Sequence, residues 1–70
     1  MIVYCDGEKR ETSASKLGDF LIEAGLSENG IPKPGEAVAV NDEIIVRASC
    51  KDFEIHDGDR IDMYSMIQGG

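Results

Sequence analysis

The chain has 70 residues and carries fourteen Asp and Glu against seven Lys and Arg, which gives a net charge of −7. A chain of this length forms one domain, and it buries only about 60% of the surface that its unfolded form exposes, which leaves no room for a cofactor cavity beside a catalytic apparatus. The negative charge repels phosphate backbones and anionic membrane surfaces, so we expect neither nucleic acid nor a membrane as partner, and a basic docking surface on another protein suits it better.

The start of the chain and its two cysteines predict a cytoplasmic protein. Residues 1–4 lack the basic and long apolar regions of a signal peptide, and no stretch approaches the roughly 18 apolar residues of a membrane span. Cys5 and Cys50 are too far apart for a CxxC redox or zinc motif. We therefore expect two free thiols, with Cys5 as a small core residue and Cys50 in a loop.

The first twelve residues predict a β-hairpin. Residues 1–5 form a short apolar run, and Asp6-Gly7 is the strongest two-residue turn signal in the chain. The returning strand, residues 8–12, is almost wholly polar. That composition suits an exposed edge, where charge discourages pairing with other chains.

A helix is predicted next from apolar residues spaced i, i+3, i+4 and i+7, which are Leu17, Phe20, Leu21 and Ala24. Ser15 is the expected N-cap and Gly25 the expected C′ residue. Gly18 inside this helix costs about 1 kcal/mol relative to Ala, so it marks either a close approach to the sheet or a weak point.

The middle of the chain predicts an irregular loop and a second hairpin. Residues 26–36 are dense in turn formers. Apolar runs at residues 37–40 and 44–46 flank a turn at residues 41–43, and such continuous runs suit central strands. Residues 47–53 are expected to form a loop, followed by a brief extended piece.

The last fourteen residues predict a turn, a strand and a bare glycine pair. Asp57-Gly58-Asp59 is a tight-turn sequence, because Gly accepts positive φ and the short carboxylates bond nearby amides. Residues 60–67 alternate and lack Pro and Gly, so they can lie in the middle of a sheet. One predicted face carries Ile61 and Met63, and the other carries Asp62, Tyr64 and Met66.

Residues 68–70, Gln-Gly-Gly, predict a flexible C-terminal tail. It is either a frayed terminus or a carboxylate without a bulky neighbour, which could be threaded into another enzyme's active site and activated as an acyl-adenylate. The elements together predict an α+β fold, a sheet with one helix on one face. Tyr4, Tyr64 and Met66 on the open face would then be scattered exposed residues or a docking surface beside the tail.

Four features together resemble the ubiquitin-like β-grasp sulfur carriers, most closely the ThiS branch: the order of elements, the stretch of residues 41–47, the Asp57-Gly58-Asp59 turn and the terminal Gly69-Gly70. The resemblance covers the whole chain and implies a mixed sheet of four to five strands with one helix packed on one face. Family members often have Pro where Val46 stands, before an arginine matching Arg47. This departure concerns the turn after that strand and leaves the tail untouched.

The resemblance implies a carrier that catalyses nothing itself. An activating enzyme similar to ThiF would adenylate the Gly70 carboxylate with ATP, and sulfur from a cysteine desulfurase would displace AMP to leave a thiocarboxylate. A thiazole synthase resembling ThiG would accept that sulfur for the thiazole ring of thiamine. By the same resemblance Gly70 is the modified residue and Gly69 gives clearance beside it, while partner contacts come from Tyr64, Met66, Ile67 and Gln68.

Other polar residues have simpler explanations than catalysis or metal binding. His56 beside Asp57 has no convincing nucleophile near it in sequence, so we expect a surface histidine. Turn formation accounts for Asp57 and Asp59 better than a cation site, since the other ligands of an oxygen cage are missing. No P-loop or GxGxxG spacing occurs, so no cofactor is expected and ATP should not bind to the chain itself.

Two other functions stay open at this point. One is the small subunit of molybdopterin synthase, or a carrier for another sulfur pathway, although that subunit usually has a longer chain and a proline pair where Ser65 and Met66 stand. The other is a ubiquitin-like protein modifier or an interaction module.

Overall fold

The computed structural model describes residues 1–65. In chain order these residues form β1 (Ile2–Cys5), β2 (Glu8–Glu11), α1 (Leu17–Glu23), β3 (Glu36–Val40), β4 (Glu43–Ile44), α2 (Arg47–Cys50) and β5 (Arg60–Ser65). The five strands make one mixed sheet in the order β2-β1-β5-β3-β4. The predicted α+β architecture is confirmed. Met66 and Ile67 of the predicted last strand, and the predicted tail at 68–70, lie outside the described residues.

The first hairpin forms as predicted. β1 and β2 pair antiparallel, with Cys5 opposite Glu8. Asp6 and Gly7 both have positive φ, 52° and 82°, which is the backbone twist that a two-residue hairpin turn requires. Every residue of β2 is exposed. The charged strand therefore lies at the sheet edge, as its composition predicted.

β5 is the central strand. It pairs parallel to β1, with Cys5 opposite Ile61, and antiparallel to β3, with Val38 opposite Met63. Ile61 is fully buried. The last strand of the described chain is thus held by hydrogen bonds on both edges, which agrees with its lack of Pro and Gly.

α1 packs its apolar face on one side of the sheet. The core combines this face with the inward residues of the central strands, and its largest buried members are Phe20, Leu17, Leu21, Ile61, Val3 and Val38. Gly25 follows the helix at φ +76°. The amide of Gly25 donates to the Ile22 carbonyl (3.1 Å) and that of Leu26 to the Leu21 carbonyl (2.8 Å), the Schellman pattern expected of a C′ glycine.

The predicted Ser15 cap is wrong. Lys16 occupies the N-cap position in an extended conformation, and no side chain caps the helix. The Leu17 amide donates instead to the Phe53 carbonyl (2.7 Å), and the Ser15 carbonyl accepts from the Ile55 amide (3.0 Å). A neighbouring extended segment thus satisfies the backbone groups that a capping side chain would otherwise serve.

Gly18 marks a close approach, but to the end of α2 and a loop rather than to the sheet. A Cβ at this position would lie 2.8 Å from both the Cα and the carbonyl oxygen of Lys51, and 3.0 Å from the Gly30 carbonyl oxygen. These contacts are with backbone atoms, which cannot rotate away.

The second hairpin forms, but its second strand and the segment after it differ from prediction. β4 has only two residues and lies at the sheet edge, so the expected central strand at 44–46 is wrong. Residues 47–50 form α2 instead of a loop. Cys50 is fully buried in the core, so its expected loop position is wrong, whereas Cys5 is a core residue as predicted.

Candidate functional site

The predicted site lies at the end of the chain, and the structure describes the part of it that ends at Ser65. Tyr64 is the one predicted partner contact within residues 1–65. The other predicted site residues lie outside the described chain; they are Met66, Ile67, Gln68, Gly69 and Gly70. The described part of the site is therefore the end of β5 and the surface around Tyr64.

The end of β5 is anchored to β3. Tyr64 lies opposite Ala37, and Ser65 lies opposite Glu36, so the ladder runs to the last described residue. On its other side β5 is tied to the first hairpin, because the Met63 amide donates to the Asp6 carboxylate (3.0 Å). Residues 66–70 therefore continue from a strand that is fixed on both edges.

Tyr64 belongs to a set of exposed apolar side chains on the open face of the sheet. Alternation along β5 places it on the face opposite to buried Ile61. Across β3, Ile44 is 58% exposed and Val46 is 68% exposed, against 47% for Tyr64. We name Tyr64, Ala37, Ile44 and Val46 the tail-side apolar surface, because it borders the strand end from which residues 66–70 continue.

Tyr4 does not join this surface. Tyr4 lies opposite Arg60 at the start of β5. Arg60 precedes Tyr64 by four residues, a separation of about 13 Å along a strand. Arg60 and Asp62 occupy the same face of β5 between the two tyrosines, and Arg60 pairs with Asp42. The predicted patch of Tyr4 with Tyr64 is therefore interrupted by charged side chains.

The acidic turn before β5 serves the fold. The Asp57 carboxylate accepts from the Ile2 amide (2.7 Å), and the Asp59 carboxylate accepts from the His56 amide (2.8 Å) and from the Asn41 side-chain amide (3.0 Å). Gly58 has φ +90°. Both carboxylates are thus engaged in holding the turn against β1 and the second hairpin, as the turn interpretation expected.

His56 is a surface residue, as expected. Its side chain is 72% exposed, and its two ring nitrogens lie 3.8 Å from a Glu54 oxygen and 3.9 Å from an Asp59 oxygen. No serine, threonine or cysteine side chain in the described part of the chain hydrogen-bonds to this ring. The ring therefore lies at the surface beside two carboxylates.

Both thiols are free and buried. Burial raises the pKa of the Cys5 thiol, and the nearby Asp6 carboxylate adds to that rise. Burial also raises the pKa of Cys50, whose thiol donates toward the Val46 and Ile45 carbonyls. A raised pKa leaves little reactive thiolate at neutral pH, so neither residue has the low-pKa, accessible character of a sulfur-handling cysteine.

Residues 1–65 were compared with the requirements of a metal cluster and of a membrane-spanning helix. No group of three or more His, Cys, Asp or Glu in that range could hold a metal ion. None of its helices is long and apolar enough to cross a membrane.

Sequence reasoning missed Ile44 and Val46 as surface residues. The apolar run at 44–46 predicts a central strand, whereas only Ile45 is buried and its two neighbours are exposed. Alternation around Ile45 was the available signal, but three apolar residues in a row hide it. Only the sheet order shows that this strand is an edge.

Comparison with known proteins agrees with this architecture. In solved structures, the thiamine biosynthesis protein ThiS from Geobacter metallireducens superposes with a TM-score of 0.80 and covers 100% of both chains at 16% identity, which shows a common fold. The sulfur carrier protein ThiS of Thermus thermophilus is 29% identical over 69 residues, 99% of this chain and 100% of that protein.

A thiazole synthase of Paramagnetospirillum magneticum is 34% identical over 70 residues. The match takes in 100% of this chain and 20% of that protein, so the chain spans one fifth of the length of this relative. A family model described as the ThiS family matches residues 2–70. The match extends from the start of β1 through the glycine pair, and the chain belongs to the ThiS family.

Proposed function

We propose that this chain is a sulfur carrier for thiamine biosynthesis whose Gly70 carboxylate is converted to a thiocarboxylate. The observation that carries the proposal is the ThiS family match over residues 2–70, which includes the glycine pair that follows β5 in the sequence. The full-length similarity to a sulfur carrier protein supports the same role.

The proposed chemistry needs little from the carrier beyond an accessible carboxylate. The carboxylate oxygen attacks the α-phosphorus of ATP in the activating enzyme, and pyrophosphate leaves. The resulting acyl-adenylate has a good leaving group, so a persulfide formed by a cysteine desulfurase attacks the acyl carbon and AMP departs. A thiol then reduces the S–S bond of this acyl disulfide, which releases the thiocarboxylate and leaves a disulfide on the sulfur donor. Glycine at 69 and 70 places no Cβ beside the reacting carbon, which suits passage through a narrow channel.

The carrier is a protein cosubstrate rather than an enzyme in this proposal. Its proposed partners are an adenylating enzyme similar to ThiF and a thiazole synthase similar to ThiG. The similarity of the whole chain to one fifth of a thiazole synthase supports the second partner, since that relative carries a matching segment in its own chain. The two buried free thiols suit a reducing compartment, and a cytoplasmic location belongs to the same proposal.

The tail-side apolar surface is the proposed docking surface for these partners. A partner that receives Gly70 must approach the end of β5, where Tyr64 is exposed; Ile44 and Val46 are exposed beyond the neighbouring strand β3. Aromatic side chains such as that of Tyr64 supply much of the binding energy when an interface buries them. Met66, Ile67 and Gln68 would extend the contact toward the partner's active site.

The test is the intact mass of the purified chain after incubation with ATP, a ThiF-like adenylating enzyme and a sulfur source. We expect the mass gain of one oxygen replaced by sulfur, located by fragmentation at Gly70. A variant that lacks Gly70 is the control and should gain nothing. If the full chain forms neither adenylate nor thiocarboxylate with the adenylating enzymes of its own source, the proposal is wrong.

The intact mass of the protein isolated from its own source adds a second check. The proposal requires Gly70 to carry a free α-carboxylate there. A chain that continues past Gly70 in the mature protein would contradict the mechanism.

A further inference from the structure

A groove of about 230 Å³ lies between the loop that precedes β3 and the start of α2. Lys33 and Arg47 line it together with Pro32, Ser27 and Asn29. None of these residues was part of the predicted site.

The walls of the groove are fixed by hydrogen bonds. Ser27 is only 5% exposed, and its hydroxyl donates to the Ile31 carbonyl (2.6 Å) and accepts from the Gly30 amide (2.9 Å). The Arg47 guanidinium donates to the Lys33 carbonyl (3.3 Å). A ligand that enters this groove therefore meets a formed surface, which reduces the ordering cost of binding.

The groove concentrates positive charge in an otherwise acidic protein. Within residues 1–65, neither Lys33 nor Arg47 has a carboxylate oxygen within 4.0 Å, although Glu28 also lines the groove. Arg10, Lys16 and Arg60, by contrast, each pair with a carboxylate. Within residues 1–65, four cationic side chains therefore have no carboxylate oxygen within 4.0 Å, namely Lys9, Lys33, Arg47 and Lys51, and the groove brings two of these four together.

The groove adjoins the strand that leads to the tail. Ser65 at the end of β5 lies opposite Glu36, and the Glu36 amide donates to the Lys33 carbonyl (2.9 Å). The Lys33 carbonyl is therefore a common acceptor for the start of β3 and for Arg47. A partner that binds at the end of β5 would therefore lie near the loop that carries Lys33.

We propose that Lys33 and Arg47 bind an acidic segment of the enzyme that activates the tail, so that a carboxylate side chain of that enzyme enters the groove. This inference rests on the proposed function. A guanidinium and an ammonium on fixed backbone favour carboxylate oxygens, and charge complementarity at an interface raises the association rate and sets the orientation of the partners. Pro32 lines the groove with apolar surface. The methylene groups of an Asp or Glu can contact this surface, whereas a free inorganic anion has no apolar atoms to do so.

The experiment compares two double charge reversals that change the net charge equally. Lys33→Glu with Arg47→Glu removes the proposed contacts, and Lys9→Glu with Arg10→Glu on the far edge strand β2 is the matched control. Affinity for the purified adenylating enzyme is measured by titration calorimetry at low and high salt, with circular dichroism melting curves to show that both variants fold. The neutral double variant Lys33→Gln with Arg47→Gln removes the two positive charges without adding negative ones. It therefore separates the loss of attraction from the added repulsion.

We expect the groove reversal to weaken binding by ~10-fold or more at ~0.05 M salt and the control by less than ~3-fold, with the difference shrinking at ~0.5 M salt as the charges are screened. The neutral pair should fall between wild type and the reversal. Equal affinities for the groove reversal and the control would overturn the inference. Saturable binding of inorganic phosphate in the groove, together with unchanged enzyme affinity of the groove reversal, would also overturn it.

The mass assay separates this inference from the proposed function. A wild-type chain that gains sulfur while the groove reversal binds and reacts like the control overturns the acidic-segment proposal alone. A wild-type chain that binds the enzyme without forming an adenylate or thiocarboxylate overturns the carrier proposal, and the affinity comparison still decides the groove. A wild-type chain that does not bind the adenylating enzyme overturns both.

Discussion

The two faces of the sheet are built from the same strands but differ in how much apolar surface they bury. On the face that α1 covers, Val3, Val38 and Ile61 are fully buried. On the open face, Tyr4, Ile44 and Tyr64 keep between 38% and 58% of their surface exposed. Burial of apolar surface is what stabilises a small domain. The covered face therefore carries the stability, and the open face can be used for recognition.

The largest effect should come from truncating the covered face. Phe20 is 1% exposed and is the largest fully buried side chain. Phe20→Ala should lower the free energy of unfolding by about 3–5 kcal/mol. The total free energy of unfolding expected for 70 residues is roughly 4–10 kcal/mol, so this loss is a large share of it. Urea unfolding followed by circular dichroism would measure it. A loss below about 1 kcal/mol would show that the core relaxes around the cavity and that the two faces differ less than we argue.

The next effect tests the close approach at Gly18. Gly18→Ala should raise helix propensity by about 1 kcal/mol and still destabilise the protein by about 1–2 kcal/mol, because the new Cβ meets backbone atoms of Lys51 at 2.8 Å. Glu23→Ala at the exposed end of the same helix is the control and should stay within about 0.5 kcal/mol. A stabilised Gly18→Ala variant would mean that α1 and the end of α2 can separate at no cost.

The open face should show the opposite pattern, with binding lost and stability kept. Tyr64→Ala is expected to change the free energy of unfolding by less than about 1 kcal/mol, because the side chain is 47% exposed. It should weaken binding to the adenylating enzyme by about tenfold, or about 1.4 kcal/mol. Calorimetric titration checks the affinity. Tyr4→Ala, at the other end of the face, is the comparison variant and should bind nearly as wild type does.

The smallest expected effect concerns the two buried thiols. The pKa values of Cys5 and Cys50 are raised above the ordinary 9.0 by burial. Above pH 9 the unfolded chain therefore loses thiol protons that the folded chain retains, so stability falls as pH rises. Urea unfolding between about pH 7 and 10.5 should show a steeper decline for wild type than for the double variant Cys5→Ala with Cys50→Ala. Identical slopes would contradict the assigned pKa direction.

Local patterns predicted the elements that depend on local physics. The Asp6-Gly7 turn, the apolar stripe of α1 and the Gly25 cap were predicted correctly, because turn conformation and helical periodicity are properties of neighbouring residues. Ser15 was a wrong cap, because the partner of that segment is Phe53, far along the chain. The run at 44–46 was misread for a similar reason, since apolar composition does not show whether a strand is central or at an edge.

The predicted site divides in the same way. The terminal Gly69-Gly70 and its position beyond a predicted strand could be read directly from the chain. Tyr64 was a correct expectation for the open face, because strand alternation with Ile61 determines its side. The exposure of Ile44 and Val46 could not be predicted, since it follows from the edge position of β4 in the sheet order.

The sequence by itself therefore determined the first hairpin, the helix α1, the acidic turn and the glycine pair, because each depends on residues within a few positions of one another. The tertiary structure decided which strand is central, what Gly18 contacts, and that Lys33 and Arg47 meet beside the end of β5. Those facts depend on long-range pairing, in which the free energy of packing the whole sheet outweighs the local preference of any single segment.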